Sequence, residues 1–487
     1  MEFTRREFLG RAASAAFVSS GLYSHIDRIA EPVVRQSESA DELRGAHRAA
    51  TLPLEQHLFD GLSTVTDNGA IVTVPPLHHT VVTAVLNVSG TTATLQNAQQ
   101  VLESAIAELE DSGLLDFKPS GLGLAVVWGL PYFNLLPAPL TNAWLPIDVS
   151  ASQTNGETTL AILDAVTFAS DPPGTVLEQN DVAFVFASDS LDHISTASDT
   201  IFSGAPADLM TVTSIRQGFV DGHKVGSSKQ SLTKQMAVKA GVPGAGSIPD
   251  SAELFLGFTS TQQAALGQST IANFETLPGT TNQWPNGYFV NGTTMHLSHI
   301  FEDLVGWYRG RYVQRAGAAF SPANGAAAKP GTQTLPEGPA NVESVSQLQA
   351  DFDAHGFIGH SSSMQPESRL TAPVTDNYGN SLPAGTAIPQ RADFNTLDNP
   401  FSYSSNPQLD RMSSSPAAGL HFVVFMPTSD SFARLRNAMD GRYPQGVNIG
   451  PGAVHGPFNR VLQTTHRQNF LVPPRAHRSF PLAELLT

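Results

Sequence analysis

The order of strand-like and helix-like segments constrains the fold of this chain more than any single motif. In the first half, apolar runs typical of buried strands alternate with two stretches whose apolar residues recur on one helix face. In chain order these segments are Thr80–Leu86, Ala98–Leu109, Gly121–Gly129, Asp181–Ala187, Leu191–Phe202 and Thr211–Ile215. This β-α-β-β-α-β order predicts a ferredoxin-like unit, an antiparallel sheet with flanking helices.

The second half repeats this order with longer insertions. Strands are predicted at 253–258 and 419–426, and the run from Gly287 to Ile300 leads into a helical pattern. An amphipathic helix is predicted from Ser429 to Met439. The low-complexity tract from Ala316 to Pro339 predicts a surface loop. We therefore expect an α+β fold with two ferredoxin-like domains, each an antiparallel sheet flanked by helices.

Composition excludes several classes of function. The 487 residues are 41% hydrophobic, enough for a large core, and the 27 basic against 43 acidic residues give a net charge of −16. This charge argues against nucleic acid or an anionic membrane as a partner. The chain has no cysteine, which excludes disulfides, thiolate nucleophiles and cysteine-bound clusters.

The N-terminus is typical of a twin-arginine (Tat) export signal. Two arginines precede Phe-Leu in Thr4–Leu9, and Gly10–Tyr23 is mostly apolar with many small residues. The alternative is an amphipathic helix with a chance Arg-Arg pair. No later apolar run reaches the roughly 20 residues of a membrane span. We expect an exported protein, periplasmic or extracellular, with no stable membrane span.

A glycine-flanked turn carries the first candidate for chemistry. Gly218 and Gly222 enclose Phe219, Val220 and Asp221, and glycine allows the backbone to turn sharply or approach another group closely. The apolar pair would anchor the turn in a core and hold Asp221 in a fixed direction. Apolar surroundings raise the pKa of a carboxyl group, which suits proton transfer near neutral pH. The alternative is an ordinary Asp-Gly turn that closes a hairpin.

Five segments, in this order, resemble those of the dye-decolourising peroxidases, a family of haem enzymes. Each is weakly specific alone, whereas the ordered set is more specific and spans most of residues 55–475. The segments are Arg216–Gly222, similar to a Gly-x-x-Asp-Gly signature; Glu253–Phe258, similar to Glu-x-x-Leu-Gly-Tyr; Gly287–Ile300, similar to Gly-Ser-Tyr-x-Val-x-Arg; Gly359–Glu367, similar to His-x-x-x-x-x-Pro-Arg; and Gly419–Phe425, similar to Gly-Leu-Leu-Phe-x-x-Phe.

The resemblance implies a haem b (iron protoporphyrin IX) site with His360 as the axial iron ligand. A ligating imidazole needs an acceptor on its other nitrogen, for which Asp440 is a candidate. On the opposite face, Asp221 would take a proton from bound hydrogen peroxide and return it to the leaving oxygen. Arg391, in a run that resembles Arg-x-x-Tyr-Asn, would stabilise the negative charge that develops on peroxide.

Four more residues are candidates for contact with the cofactor. Phe422 and Phe425 would form an apolar wall of the pocket. Gly218 and Gly222 flank the predicted acid and are included because they permit a close approach of the backbone.

Some positions depart from the family pattern and leave alternatives open. Ser361–Ser363 and Glu367 stand where the family has arginines, which puts haem affinity and orientation in question. His355 is a rival for the ligand because the family also shows an apolar-Ala-His sequence there. Gln390 competes with Arg391 for the arginine position under a one-residue shift. His296, together with two other histidines, is interpreted as structural.

The predicted organisation is a signal peptide (1–30), a linker (31–50), an N-terminal ferredoxin-like domain (51–240) and a C-terminal haem-binding domain (241–487), of the dimeric α/β barrel type. We expect an exported haem peroxidase that uses hydrogen peroxide to oxidise bulky aromatic or dye-like donors. The alternative is a binding protein of the same fold with altered or lost haem catalysis. A hydrolase is disfavoured because no Gly-x-Ser-x-Gly, His-Glu-x-x-His or phosphate loop is present. Oligomerisation is left open.

Overall fold

The fold is described from a computed structural model. The described residues are 22–26, 52–57, 64–67, 70–73, 75–116, 121–221, 230–258, 271–322, 342–399, 401, 413, 415–450 and 456–487.

Sixteen strands are present among these residues. In chain order they are β1 Thr64–Asp67, β2 Ala70–Thr73, β3 His78–Leu86, β4 Gly123–Trp128, β5 Val176–Leu177, β6 Val182–Ser188, β7 Met210–Phe219, β8 Thr293–Glu302, β9 Val374–Thr375, β10 Ser381–Leu382, β11 Gln390–Arg391, β12 Phe394–Thr396, β13 Gly419–Met426, β14 Arg442–Tyr443, β15 Val447–Asn448 and β16 Leu462–Val472.

The helices of the described part flank these strands. They are α1 Thr92–Asp111, α2 Leu130–Phe133, α3 Ala138–Trp144, α4 Val149–Asn155, α5 Leu191–Phe202, α6 Gly204–Asp208, α7 Leu232–Lys239, α8 Leu304–Tyr308, α9 Tyr312–Ala319, α10 Val345–His355, α11 His360–Ser368 and α12 Ser429–Met439, with short 3-10 turns at Ala245–Ser247, Pro444–Gly446, Arg475–His477 and Ala483–Leu485. Within the described ranges, none of them combines the length and the apolar character that crossing a bilayer requires.

Eight strands close into an antiparallel ring. The order is β7-β3-β6-β4 in the first half and β16-β8-β13-β12 in the second, so each half has the strand order of a ferredoxin-like sheet. Two narrow contacts join the halves: Phe219 pairs with Asn395 between β7 and β12, and Leu471 pairs with Trp128 between β16 and β4. The predicted α+β class, with an antiparallel sheet flanked by helices, is confirmed. The predicted domain boundaries stay predictions.

The interior of the ring contains an apolar cluster and a buried polar group. Side chains from both halves form the apolar cluster, which includes Val81, Val127, Val185, Met295, Leu297, Val423, Phe425, Phe470 and Val472. Arg216 and Glu178 form a buried ion pair, and the Arg216 guanidinium lies 4.6 Å from the ring centroid of Phe401. His421, which is fully buried, has no hydrogen-bond partner on either ring nitrogen among the described residues.

The helices cover the outer faces of the two sheets. Helix α1 buries Leu95, Leu102 and Ile106 in the apolar cluster that covers the first sheet. Helix α12 packs over β8 and β13 and against α11. Its bounds, Ser429–Met439, are those predicted from the sequence. Thr428 accepts a hydrogen bond from the backbone nitrogen of Ser431, which caps the first turn.

The prediction of a strand at 253–258 is wrong, because these residues form turns. The Trp307 indole nitrogen donates to the carbonyl oxygen of Leu256 at 2.7 Å, and the Tyr308 hydroxyl donates to that of Phe255 at 2.7 Å. Side chains of α8 therefore take over hydrogen bonds that a strand would make with a neighbour.

The prediction of a surface loop from Ala316 to Pro339 is wrong at its start. Helix α9 includes Ala316–Ala319, and these four small residues are buried. The small side chains allow this end of the helix to pack closely against its neighbours. Composition alone does not distinguish such a buried helix from a loop rich in small residues. The part of this tract at 323–339 lies outside the described residues.

Part of the predicted signal peptide is packed against the fold. Residues 22–26 are helical, with Tyr23 and Ile26 buried. The Tyr23 hydroxyl accepts a hydrogen bond from the backbone nitrogen of Leu397 at 3.2 Å and lies 3.4 Å from the Thr396 hydroxyl. These contacts lie where β7 meets β12. The other residues of 1–50 lie outside the described part, so the export and cleavage predictions stay predictions.

Candidate functional site

A cavity of about 240 Å³ lies between the outer face of the second sheet and helices α11 and α12. Alternate residues of two neighbouring strands form its floor: His296, Ser298, Ile300 and Glu302 from β8, and Leu420, Phe422 and Val424 from β13. Residues between them face the interior of the ring, as the period of a strand requires. The volume is slightly below the roughly 300–1,000 Å³ of typical ligand pockets.

His360, the predicted iron ligand, lines this cavity. It is the first residue of α11, and its ring stacks on Phe458 with centroids 4.2 Å apart. Gly359, just before it, lies against the backbone of Phe320, and a Cβ at this position would lie 2.0 Å from the Phe320 carbonyl oxygen. A glycine at this position therefore lets α11 begin beside the cavity.

The His360 imidazole is held neutral. Burial, followed by the charges of Arg436 and Arg391, lowers the pKa of His360 to about 3. A neutral imidazole is the form that binds a metal. Its Nδ1 is buried without a hydrogen-bond partner among the described residues. The rival His355 is exposed at the end of α10 and is not among the described residues that line the cavity.

Asp440 does not serve as the acceptor for His360. Its carboxylate accepts hydrogen bonds from Arg436 at 3.0 Å, from the Asn459 amide at 3.1 Å and from the backbone nitrogen of Ser170 at 3.1 Å. Asp440 therefore fixes Arg436, which lines the cavity and acts on His360 through its charge.

Arg391 and Phe422 line the cavity, whereas Phe425 does not belong to the described lining. Arg391 pairs with Val424 on β13, two residues beyond Phe422 on the same face. Phe425 is fully buried on the opposite face of β13, where its ring centroid lies 5.3 Å from that of His57. Phe425 therefore does not form a wall of this cavity, contrary to the prediction. The alternation of faces along a strand alone would have indicated this.

Asp221 lies two residues beyond the end of β7 and is 8% exposed. Its Oδ2 accepts a hydrogen bond from the backbone nitrogen of Thr233 at 2.7 Å, at the first turn of α7. A carboxylate is stabilised at a helix N-terminus. Asp221 is not among the described residues that line the cavity. Its role in proton transfer stays a prediction.

Gly218 serves the join between the two halves of the ring. A Cβ at this position would lie 2.2 Å from the carbonyl oxygen of Asn395 and 2.4 Å from the Phe394 ring. The close approach inferred for this glycine is therefore to strand β12, and Gly218 is not part of the described cavity lining. Gly222 lies outside the described residues.

The cavity contains a second histidine, which was interpreted as structural from the sequence. His296 lines it and stacks on Phe432 with ring centroids 3.6 Å apart. The His296 Nδ1 lies 2.7 Å from the side-chain oxygen of Asn469, and Nε2 is buried without a partner among the described residues. Burial, then the charge of Arg467, lowers the pKa of His296 well below its ordinary value. The alternating faces of a strand at 294–300 were the sequence signal that could have placed His296 in the cavity.

Glu302 and Asp393 were also missed, and both line the cavity. Glu302 is 5% exposed, and its Oε2 is buried without a hydrogen-bond partner among the described residues. Burial, followed by the charge of Asp393, raises the pKa of Glu302 to about 8. The two residues are far apart in sequence, and no motif connects them.

Arginines give another side of the cavity its charge. Arg436 and Arg467 both line it and share Asp171 as an ion-pair partner, the Arg467 contact at 2.5 Å and the Arg436 contact at 3.5 Å. Arg369 and Arg391 are the other two lining arginines. In the described part of the chain, no group of three or more His, Asp or Glu side chains could hold a metal ion by itself.

The fold and the cavity thus define a two-sheet α+β barrel with a histidine-containing pocket on the outer face of its second sheet. Residues 76–474 match the family described as "Family of unknown function (DUF7405)", and the chain belongs to this family. No curated protein matches the sequence.

Solved structures of DyP-type peroxidases are similar to this chain. For the enzyme of Cellulomonas bogoriensis the identity is 16%, the coverage 85% of this chain and 94% of that chain, and the TM-score 0.49. For the encapsulated enzyme of Mycobacterium smegmatis the values are 9%, 85%, 96% and 0.46. For a DypB variant of Rhodococcus jostii RHA1 in complex with heme they are 11%, 85%, 97% and 0.46. These proteins belong to the family that the sequence motifs resemble.

Proposed function

We propose that this chain binds haem b in the cavity through His360 and uses hydrogen peroxide to oxidise aromatic or dye-like donors. The observation that carries the proposal is a neutral imidazole that lines a largely apolar cavity and has an Nδ1 without a hydrogen-bond partner among the described residues. The order of sequence motifs around His360 is the second support.

The residues fit an iron porphyrin in their donor chemistry. One neutral imidazole suits a metal whose other ligands come from a cofactor. Phe422, Phe458 and Met364 supply apolar walls, and arginines supply charge for carboxylate groups. A full porphyrin needs more room than about 240 Å³, so flexible side chains such as Met364 and Met439 must move on binding.

When bound, haem would supply the redox chemistry with hydrogen peroxide. In this proposal His360 holds the iron, and Arg391 places a permanent positive charge in the cavity. A guanidinium keeps its charge at any physiological pH and stabilises negative charge that develops on an oxygen ligand. Replacing Arg391 by Ala should slow peroxide-dependent dye bleaching about a hundredfold. Unchanged bleaching in Arg391→Ala would remove this role.

In this proposal Asp221 accepts a proton from hydrogen peroxide, a role that the turn motif alone supports. Its contact with the first turn of α7 predicts a second role, because its carboxylate accepts a hydrogen bond from the backbone nitrogen of Thr233. If Asp221 handles protons, Asp221→Asn slows the reaction with peroxide and leaves haem bound. If it only caps α7, the same variant loses stability and keeps its peroxide kinetics.

A haem titration tests the assignment of the ligand. Purified protein is titrated with hemin while the Soret band is recorded, for the wild type and for His360→Ala, His355→Ala and His296→Ala. We expect the band in the wild type and in His355→Ala, and its loss in His360→Ala. Circular dichroism checks folding, and added imidazole should restore the band in His360→Gly. A Soret band that is lost in His296→Ala and kept in His360→Ala would instead assign the iron ligand to His296 on β8.

The second candidate function is a binding protein of the same fold without haem catalysis. Two observations favour it: the small volume of the cavity, and the position of Asp221 outside its described lining. A wild-type protein that shows no Soret band at any hemin concentration, but binds a smaller ligand, would support this candidate.

We also infer export through the Tat pathway, supported by the Arg5-Arg6 pair. A reporter fused after residue 50 should be exported, and replacing both arginines by lysine should stop its export. Tyr23 is buried against the fold. Mass spectrometry of the exported protein would locate the cleavage site and so show whether the mature protein retains Tyr23. Export that is unaffected by the double substitution would contradict the inference.

A further inference from the structure

The sheet wall of the cavity carries a histidine to which the proposed function gives no role. His296 on β8 is paired with Val424 on β13, and Val424 is paired in turn with Arg391 on β11. Directly paired residues of antiparallel strands share a face, so these three residues form one row across the sheet. Strands lie about 4.8 Å apart, which places the backbones of His296 and Arg391 about 10 Å apart. Both residues line the cavity, whereas His360 enters it from the helical wall at the start of α11.

A chain of hydrogen bonds fixes the tautomer of His296. The side-chain nitrogen of Asn469 donates to the carbonyl oxygen of Leu163 at 2.9 Å, so the side-chain oxygen of Asn469 faces His296. This oxygen lies 2.7 Å from Nδ1 of His296 and can only accept a hydrogen bond, so Nδ1 carries the proton. The Nε2 atom therefore keeps its lone pair. The register of the sheet places Asn469 for this contact, because it is paired with His296 on β16.

The Nε2 atom of His296 is left for a ligand. It is buried and has no hydrogen-bond partner among the described residues, a state that is costly for a polar atom. The imidazole stacks on the Phe432 ring with centroids 3.6 Å apart, which holds its plane. An imidazole with a fixed plane, a fixed tautomer and an unused lone pair is suited to accept a proton or to bind a metal.

The charges of the cavity favour proton acceptance over metal binding by His296. Burial, followed by the charge of Arg467, lowers the pKa of His296 well below its ordinary value, so the ring is neutral and ready to accept a proton. Positive charges repel a metal cation and stabilise an anion that remains after a proton has left. The ionisable side chains of the lining besides His296 are Arg369, Arg391, Arg436, Arg467, Glu302, His360 and Asp393, and Asp171 and Asp440 pair with arginines of this set.

We propose that His296 accepts a proton from hydrogen peroxide in the cavity and that Asn469 is its positioning residue. One O–H bond of the peroxide breaks and an N–H bond forms at Nε2, which gives HOO⁻ and an imidazolium. The guanidinium of Arg391, in the same row, stabilises the hydroperoxide anion. The inference rests on the proposed function, because it assigns one step of that peroxide reaction. It gives the step to a residue of the cavity lining, of which Asp221 is not a described member.

The reaction of the hemin-loaded, full-length protein with hydrogen peroxide, followed by stopped flow, tests the role of His296. In His296→Gln the new amide cannot accept a proton, so the reaction should be about a hundredfold slower while the Soret band of the bound haem stays unchanged. His296→Leu provides the same test if the first variant does not fold. His355→Gln, at the exposed end of α10, is the control and should react at the wild-type rate.

The pH profile of this reaction separates a catalytic role from a structural one. The acceptor must be unprotonated, and the pKa of His296 lies well below 6.5, so the wild-type rate should fall only at pH values well below 6.5. Asn469→Asp places a carboxylate beside the imidazole, which raises the pKa of His296 and moves the fall in rate to higher pH. A purely structural contact would leave the profile where it is.

Nuclear magnetic resonance of the haem-free protein supplies a readout that is independent of activity. With nitrogen-labelled histidine, proton–nitrogen correlations distinguish a protonated ring nitrogen from an unprotonated one. The signals of His296 are identified by their absence in His296→Gln. At neutral pH we expect the proton on Nδ1 and none on Nε2, and Asn469→Leu should abolish this preference.

The inference is overturned if His296→Gln reacts with peroxide as fast as the wild type, if Asn469→Asp leaves the pH profile unchanged, or if the proton of His296 lies on Nε2. A Soret band that is lost in His296→Gln would make His296 an iron ligand and would also overturn it. A wild type without any Soret band refutes the haem proposal itself. Normal haem binding with unchanged kinetics in His296→Gln refutes only the step assigned to His296.

Discussion

Replacing Gly218 by Ala should open the join between the two halves of the ring. The new Cβ would lie 2.2 Å from the Asn395 carbonyl oxygen and 2.4 Å from the Phe394 ring, whereas ordinary contacts begin at 3.4 Å. Strands β7 and β12 must therefore move apart by about 1 Å, at the single register pair that connects them. Overpacking of this kind costs roughly 1–3 kcal/mol, and the upper end applies because a backbone atom cannot rotate away.

The assay is urea unfolding of Gly218→Ala, followed by circular dichroism and tryptophan fluorescence. The matched control is Gly246→Ala, because a Cβ at Gly246 would meet nothing within 4 Å. The control should change the free energy of unfolding by less than about 0.5 kcal/mol. If Gly218→Ala is as stable as the control, the close approach of β12 does not hold the ring together, and the reasoning fails.

Two further predictions concern buried charge. Burial, then nearby charges, lowers the pKa of His421 well below its ordinary value, so the unfolded state binds the proton first. This contribution to stability is therefore present above about pH 6.5 and is lost as the pH falls. In thermal unfolding, His421→Phe should lose less stability than the wild type between about pH 6.5 and 5. An unchanged dependence of stability on pH would contradict this. Glu178→Gln leaves Arg216 buried without its charge partner and should lower the free energy of unfolding by about 3–5 kcal/mol. The ion pair of Lys234 with the exposed Asp250 is the control, and Asp250→Asn should have little effect. Equal effects of the two variants would contradict the assignment.

Local patterns in the sequence were sufficient to predict most of the fold. The helix at Ser429–Met439 has a period that places Phe432, Leu435 and Ala438 on one buried face, and its bounds were predicted correctly. The pattern failed where small residues are buried, as in α9. It also failed at 253–258, where the apolar residues are buried in turns that side chains of α8 stabilise. Neither case has a periodic signal.

The candidate site was less predictable because it depends on which face of a strand each residue occupies. Phe422 and Phe425 are three residues apart and therefore face opposite sides of β13, although both matched the same motif. Glu302 and Asp393 are brought to one cavity by strand pairing, which a single sequence does not reveal. Gly218 was recognised as a position of close approach, but the approaching group is a strand of the other half.

The most direct test of the account is a crystal structure of the protein after addition of hemin, with anomalous data at the iron edge. We predict one iron peak within bonding distance of a ring nitrogen of His360, in the cavity that Phe422 and Phe458 line. An iron peak elsewhere, or a cavity that stays free of porphyrin at saturating hemin, would contradict the assignment of this cavity as a haem site.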